Sequence, residues 1–86
     1  MSDQPKRLTI DMIKDLVEDD HYFRHHTLTI CVLTLKNGAK VVGESNVIDP
    51  ANFDAVIGKT IARENALNKI WQLEGYAMKT RMASAV

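Results

Sequence analysis

The dipeptide Asn37-Gly38 lies between two β-prone runs, residues 27–36 and 39–47, and it constrains the fold more than any other feature. Asn-Gly supplies the two positive φ angles of a type I′ turn, which is the strongest short-range signal for a β-hairpin. A two-residue loop also sets the strand register, so the sequence predicts Val32 opposite Gly43. We therefore predict a two-stranded antiparallel β-hairpin.

Both faces of this predicted hairpin carry apolar side chains. The face that we expect to meet a helix carries Leu28, Ile30, Val32, Thr34, Val41, Gly43, Ser45 and Val47. The opposite face carries Cys31, Leu33, Leu35 and Val42. One helical layer covers one face of a sheet, so the second face needs the first helix or a second copy of the chain. We therefore expect a homo-oligomer, with Leu33 or Val42 in the interface, or else the far face of the long helix around Trp71.

A short helix is predicted before the hairpin. Apolar residues recur at helical spacing from Ile10 to Val17, and Thr9 stands where an N-cap is needed. Three consecutive acids at residues 18–20 face the negative end of that helix and end it. Residues 21–26 are then predicted to be a connector.

A long helix is predicted after the hairpin. Asp49 stands at the N-cap, Pro50 at the first helical position, and Ile48 and Phe53 are spaced as a hydrophobic staple. Its predicted apolar stripe is Phe53, Val56, Ile57, Ile61, Leu67, Ile70, Trp71 and Met78. Two glycines interrupt the helix, which predicts a kink or close packing at Gly58 and a break or a contact at Gly75.

The predicted fold class is α+β: a short N-terminal helix, a two-stranded antiparallel β-hairpin, and a long C-terminal helix packed on the hairpin. The length of 86 residues gives one domain, with a flexible arm over residues 1–7 and a frayed tail over residues 83–86. Basic and acidic residues each number 11, which argues against a general electrostatic grip on nucleic acid or on lipid. We expect a cytoplasmic protein, because the chain has one cysteine and neither a signal peptide nor a membrane span.

Few residues of the sequence are candidates for metal binding or catalysis. His21, His25 and His26 stand beside two acids but lack the ligand pattern of a zinc site, so we expect no metal and no cofactor. Cys31 is expected to be structural, because the predicted register places it opposite Glu44, whose charge would raise the thiol pKa. No catalytic residue is predicted.

Three residues of the long helix are candidates for ligand binding: Arg63, Glu64 and Asn68. The last two fall at the border of the apolar stripe, where a carboxylate needs a partner. That partner is either a basic residue of this protein or an external ligand. Trp71 and Tyr76 are candidates for partner binding, since interfaces are enriched in these residue types.

Several motifs resemble one known family. They are residues 31–38 (CVLTLKNG), 42–45 (VGES), 52–54 (NFD), 57–58 (IG), 61–66 (IARENA) and 69–76 (KIWQLEGY). In this ordered set the chain resembles the small tailed-phage proteins of the phage gp-forty-nine/sixty-six family, an N-four-type podophage family. The resemblance implies a phage-encoded accessory protein made in the cytoplasm of an infected bacterium, and it implies no activity or catalytic residue.

We therefore expect a non-enzymatic protein that binds a host component, in host takeover or counter-defence, as a homo-oligomer. The alternative is a sponge that sequesters a small nucleotide immune signal in a pocket between subunits.

Overall fold

A three-stranded antiparallel sheet lies under one long helix in the computed structural model, which describes residues 8–84. The elements in chain order are α1 (Ile10–Asp15), β1 (Val17–His25), β2 (Leu28–Leu35), β3 (Lys40–Asn46), a 3-10 turn (Pro50–Asn52) and α2 (Ala55–Ser84). The predicted α+β class is confirmed. The predicted arm over residues 1–7 and the last two residues of the predicted tail lie outside the described residues, whereas Ala83 and Ser84 are helical.

The strand β1 replaces the predicted connector, so the two-stranded prediction is wrong. Thr9 does cap α1, but the acids of residues 18–20 lie in β1, which pairs with β2 from Val17 to His25 with a register shift at Glu18. A tight turn at His26 and Thr27 joins the two strands, with His26 in the left-handed region at φ 53°. Most side chains of β1 are exposed, so the strand has little hydrophobic alternation to reveal it.

The turn between β2 and β3 has one residue more than predicted. The Leu35 amide donates to the Ala39 carbonyl at 2.7 Å, and only Gly38 has a positive φ, of 90°. The Asn37 carboxamide oxygen instead accepts a hydrogen bond from the Ala39 amide at 3.0 Å. Such a three-residue loop with glycine in the last position is the second common hairpin type. The type I′ prediction is therefore wrong.

The longer loop shifts the register by one residue, to Cys31 opposite Gly43 and Val32 opposite Val42. The prediction of Val32 opposite Gly43 is therefore wrong. The face that meets α2 carries Thr29, Cys31, Leu33, Leu35, Val41, Gly43 and Ser45. Leu33, predicted to bind a partner, is fully buried in the core instead.

Small residues seat α2 on the sheet. Its buried ridge is Gly58, Ala62, Ala66 and Ile70, spaced by four residues. A Cβ atom on Gly43 would overlap the Ala62 carbonyl oxygen and the Ala66 amide, so the helix lies directly on the backbone of β3. The core consists of Ile13, Cys31, Leu33, Leu35, Val41, Ala62, Ala66, Leu67 and Ile70.

Several expectations for the long helix need correction. Close packing at Gly58 is confirmed, because an added Cβ would lie 2.9 Å from the Thr29 hydroxyl. At Gly75 the helix neither breaks nor meets another part of the chain. Of the predicted stripe, Leu67 and Ile70 are buried; Val56, Ile57 and Ile61 are exposed.

Two aspartates divide the capping role that was predicted for Asp49 alone. Asp49 accepts a hydrogen bond from the Ala51 amide and caps only the 3-10 turn, after which Phe53 is extended. The carboxylate of Asp54 accepts from the Val56 and Ile57 amides at 2.9 and 3.1 Å. Asp54 therefore caps α2, and the prediction for Asp49 is wrong.

We expect Asp54→Ala to lower the free energy of unfolding by about 0.5–2 kcal/mol, because it leaves the first amides of a 30-residue helix without an acceptor. Asp49→Ala should cost less, since it removes the cap of only three residues. Urea denaturation of the two variants and the native chain measures the difference. A larger loss for Asp49→Ala would contradict the assignment.

Candidate functional site

Two surfaces remain open once α2 has covered β2 and β3. The first is a cleft between α1, β1 and α2, with a volume of about 460 Å³. It forms because the core-side residues of β1, among them Asp20 and Tyr22, lie beyond the edge of α2. We call it the β1 cleft, and its lining is Ile10, Lys14, Tyr22, Lys59, Thr60, Arg63, Glu64 and Leu67.

A carboxylate organises the polar groups beside this cleft. One oxygen of Asp20 accepts from the Tyr22 hydroxyl at 3.1 Å and from the Arg63 guanidinium at 3.3 Å. Both charged side chains are partly exposed, so this pair orients Arg63 more than it stabilises the fold. The Lys59 ammonium lies 5.6 Å from the centre of the Tyr22 ring, and burial raises the pKa of Tyr22. The cleft thus presents cations beside a protonated tyrosine.

The predicted ligand residues are divided between two cavities. Arg63 lines the β1 cleft, and Asn68 lines a neighbouring groove of about 330 Å³ that also contains Ile10 and Trp71. Glu64 contributes to both. Sequence reasoning missed Asp20 and Tyr22, because their place in the cleft depends on the unpredicted strand β1.

The second surface is the face of the sheet that points away from α2. Register places Phe23 beside Ile30, and Val32 beside Val42, on this side. Phe23 is 54% exposed and Val42 is 41% exposed. We call this surface the open sheet face, consisting of Phe23, Leu28, Ile30, Val32 and Val42.

The other two predicted partner residues lie on α2. Trp71 is half-buried against the core, and Tyr76 is 78% exposed. Neither belongs to the open sheet face. The predicted partner residues therefore lie on separate surfaces.

His21 and His25 lie on the face of the sheet opposite to the buried Cys31. The His21 ring packs against Phe23 at 4.7 Å, and His25 packs against His26 at 4.4 Å. Within residues 8–84 no three His, Cys, Asp or Glu side chains form a group that could hold a metal ion. Cys31 lies opposite Gly43 and not Glu44, and burial, not the predicted charge, raises its thiol pKa.

We expect Cys31 in the native protein to react with a disulfide reagent at pH 8 more than about 100-fold more slowly than in denaturant, because the buried thiol stays protonated. Its pKa lies above the ordinary value of 9.0, so the free energy of unfolding should fall as the pH rises past 9.0. Equal reaction rates in the native and denatured protein would contradict this environment.

In the part of the chain that the structure describes, no helix combines the length and the apolar character needed to cross a membrane. No curated protein and no solved structure matches the chain. The family model described as phage protein (N4 Gp49/phage Sf6 gene 66) matches residues 8–82, which include α1, the whole sheet and nearly all of α2. The chain therefore belongs to the phage protein (N4 Gp49/phage Sf6 gene 66) family.

Proposed function

We propose that this phage protein is a non-enzymatic accessory protein that binds a host protein in the cytoplasm of the infected bacterium, as a homo-oligomer. The observation that carries the proposal is the open sheet face. Phe23 on β1 and Val42 on β3 leave large apolar surfaces in water on the two sides of the central strand β2, on a sheet face where a covering layer normally lies. The proposed role is host takeover or counter-defence.

The shape and chemistry of the open sheet face favour a protein as the partner. Small molecules bind in concave sites, whereas a sheet face is nearly flat. The central strand contributes the apolar Ile30 and Val32. Polar and charged side chains stand around them, with Glu44 opposite Ile30, His21 opposite Val32, and Asp19 and Lys40 at one end. An apolar centre with a polar rim is the usual anatomy of a protein interface. The partner should therefore present apolar side chains.

Two features support a role other than catalysis. The thiol of Cys31 is buried and its pKa is raised, which removes the chain's one cysteine as a nucleophile. Asp20 is already bound to Tyr22 and Arg63, so it is held as a structural acceptor.

Affinity capture from host cells followed by calorimetry with the purified partner tests the proposal. Val42→Asp should weaken binding at least about 30-fold, which corresponds to a hot spot of about 2 kcal/mol. Tyr76→Asp is the matched control, because it adds the same charge at an exposed position outside the open sheet face. Circular dichroism verifies that both variants are folded. Equal affinities for native chain and Val42→Asp would contradict the proposal.

The β1 cleft favours a second candidate function, the sponge for a small nucleotide signal. This cavity lies within one chain, unlike the predicted pocket between subunits. Its lining has three cations, Lys14, Lys59 and Arg63, against the carboxylate of Glu64, and Arg63 is paired with Asp20. The remaining positive charge and the Tyr22 ring suit a phosphate and a base. Calorimetric titration with cyclic and linear nucleotides tests it. Binding that Arg63→Ala weakens at least about tenfold would support the sponge. The absence of binding at millimolar nucleotide would contradict it.

A further inference from the structure

The outer side of α2, which points away from the sheet, is unexpectedly apolar. A helix that covers a sheet with one side normally has polar residues on the other. Here the ridge from Gly58 to Ile70 contacts the sheet, yet Ile57 and Met82, on the outer side, are 56% and 52% exposed. The outer line of residues is Ile57, Ile61, Glu64, Asn68, Trp71, Gly75, Met78 and Met82, of which Trp71 also packs in part against the core. We call this line the α2 seam.

The spacing of the α2 seam is that of a coiled coil. Successive members are alternately four and three residues apart from Ile57 to Met82, which is the a/d repeat of a heptad. Over this range the seam is about 38 Å long, at 1.5 Å per residue. Such a repeat keeps one line of side chains against a partner helix over many turns.

The contacts within one chain do not explain why residue 75 of the α2 seam is a glycine. Gly38 has a positive φ, and Gly43 and Gly58 are needed for close packing, but a Cβ on Gly75 would meet nothing within 4 Å. Glycine destabilises the interior of a helix, so its presence here calls for another reason. A partner helix supplies one, because glycine leaves room for a large side chain from the other copy.

We propose that a second copy of this chain packs its α2 antiparallel along the α2 seam, about a two-fold axis between Asn68 and Trp71. In an antiparallel pair the a positions of one helix meet the d positions of the other. Ile57 of one copy then lies opposite Met82 of the other, and Ile61 lies opposite Met78. The exposed apolar ends of the two helices cover each other.

Glu64, in the polar centre of the α2 seam, favours an antiparallel over a parallel arrangement of the two α2 helices. A parallel pair would place Glu64 against Glu64, which is a repulsive contact. In the antiparallel pair Glu64 lies opposite Gly75 of the other copy, and Lys79 of that copy is one helical turn away. Two ion pairs between Glu64 and Lys79 result from the two-fold symmetry.

The surroundings of the α2 seam suit a second copy. The groove at its centre has a volume of about 330 Å³, and Ile10, which lines it, is partly exposed and would be covered as well. Two strips about 38 Å long and about 10–12 Å wide approach the area of about 1,000 Å² that a specific interface needs. Both open sheet faces would point outward from such a dimer. The inference thus deepens the proposed function, on which its biological meaning rests, by locating the self-association.

Light scattering coupled to size exclusion tests the dimer, for which we expect twice the chain mass of 9.7 kDa. Ile61→Glu should release monomers, because it places a second carboxylate in the α2 seam. Leu73→Glu is the matched control and should remain dimeric, since Leu73 is exposed but outside the seam. A monomeric native chain across a hundredfold dilution from high concentration would overturn the proposal, as would a dimer that survives Ile61→Glu.

Charge exchange tests the register. Glu64→Lys and Lys79→Glu should each raise the dimer dissociation constant at least about tenfold, because each places like charges together. The double variant should restore the native value to within about threefold, because it exchanges the two charges. If the double variant loses as much dimer affinity as the two single variants lose together, the Glu64–Lys79 pairing is contradicted.

Cysteine crosslinking tests the antiparallel direction. Ile57→Cys combined with Met82→Cys should give a covalent dimer on oxidation, and the two sites are too far apart within one α2 to join. Ile57→Cys combined with Leu73→Cys is the control and should not crosslink efficiently. Equal yields of covalent dimer from the two double-cysteine variants would overturn the antiparallel arrangement. Host-protein binding is measured separately at Val42, so failure of the dimer and failure of the proposed function give different results.

Discussion

Gly43→Ala is expected to lower the free energy of unfolding by about 3 kcal/mol or more, the upper part of the range for overpacking. The added methyl group would overlap the Ala62 carbonyl oxygen and the Ala66 amide, which are backbone atoms and cannot rotate away. Either α2 retreats from β3 along its length or the strand moves. Both changes open the core around Leu33 and Ile70.

Ser45→Ala is the matched control for this prediction. Ser45 lies on the same strand and the same face as Gly43, and it already has a Cβ atom. Its change should alter the free energy of unfolding by less than about 1 kcal/mol. Urea denaturation monitored by circular dichroism compares the two variants. Equal stabilities would show that α2 does not lie directly on Gly43.

Leu33→Asp is expected to leave the chain unfolded at 25 °C, whereas Val42→Asp should leave it folded. Leu33 is fully buried, so the substitution places a carboxylate without a partner in the core. That penalty exceeds the few kcal/mol that a domain of this size has available. Val42 is partly exposed on the opposite side of the sheet, where an aspartate stays in water.

Circular dichroism and one-dimensional proton NMR of the two variants measure this difference. The pair distinguishes the observed register from the predicted one, which placed Leu33 and Val42 on the same face. A folded, dispersed spectrum for Leu33→Asp would contradict the core assignment. Loss of structure in Val42→Asp would contradict the assignment of Val42 to the open sheet face.

The fold class and α1 follow from the sequence, and the strand errors have identifiable causes. Thr9 and the apolar period from Ile10 predict the start of α1 correctly, but the helix ends at Asp15 and Val17 already belongs to β1. The strand β1 is held by backbone pairing with β2, and its mainly polar side chains give no alternation from which to predict it. The Asn37-Gly38 signal places the hairpin correctly, but the carboxamide of Asn37 favours the longer loop.

The face of α2 that packs on the sheet was obscured by residue size. Hydrophobicity selects Ile57 and Ile61 for the core, yet close approach to a strand requires Ala62, Ala66 and a glycine opposite them. Large apolar residues therefore remain outside. The candidate sites were missed for different reasons, because the β1 cleft depends on the unpredicted strand β1 and the open sheet face depends on the shifted register.

Site-specific photo-crosslinking in host cells tests the open sheet face most directly as the binding surface. A benzophenone amino acid replaces Phe23 in one variant and Tyr76 in the control variant, because both are exposed aromatic residues and only Phe23 belongs to the open sheet face. We predict one major adduct with a host protein from position 23, its loss when Val42→Asp is added, and no such adduct from position 76. Adducts of equal yield from both positions, or none from position 23, would contradict the account.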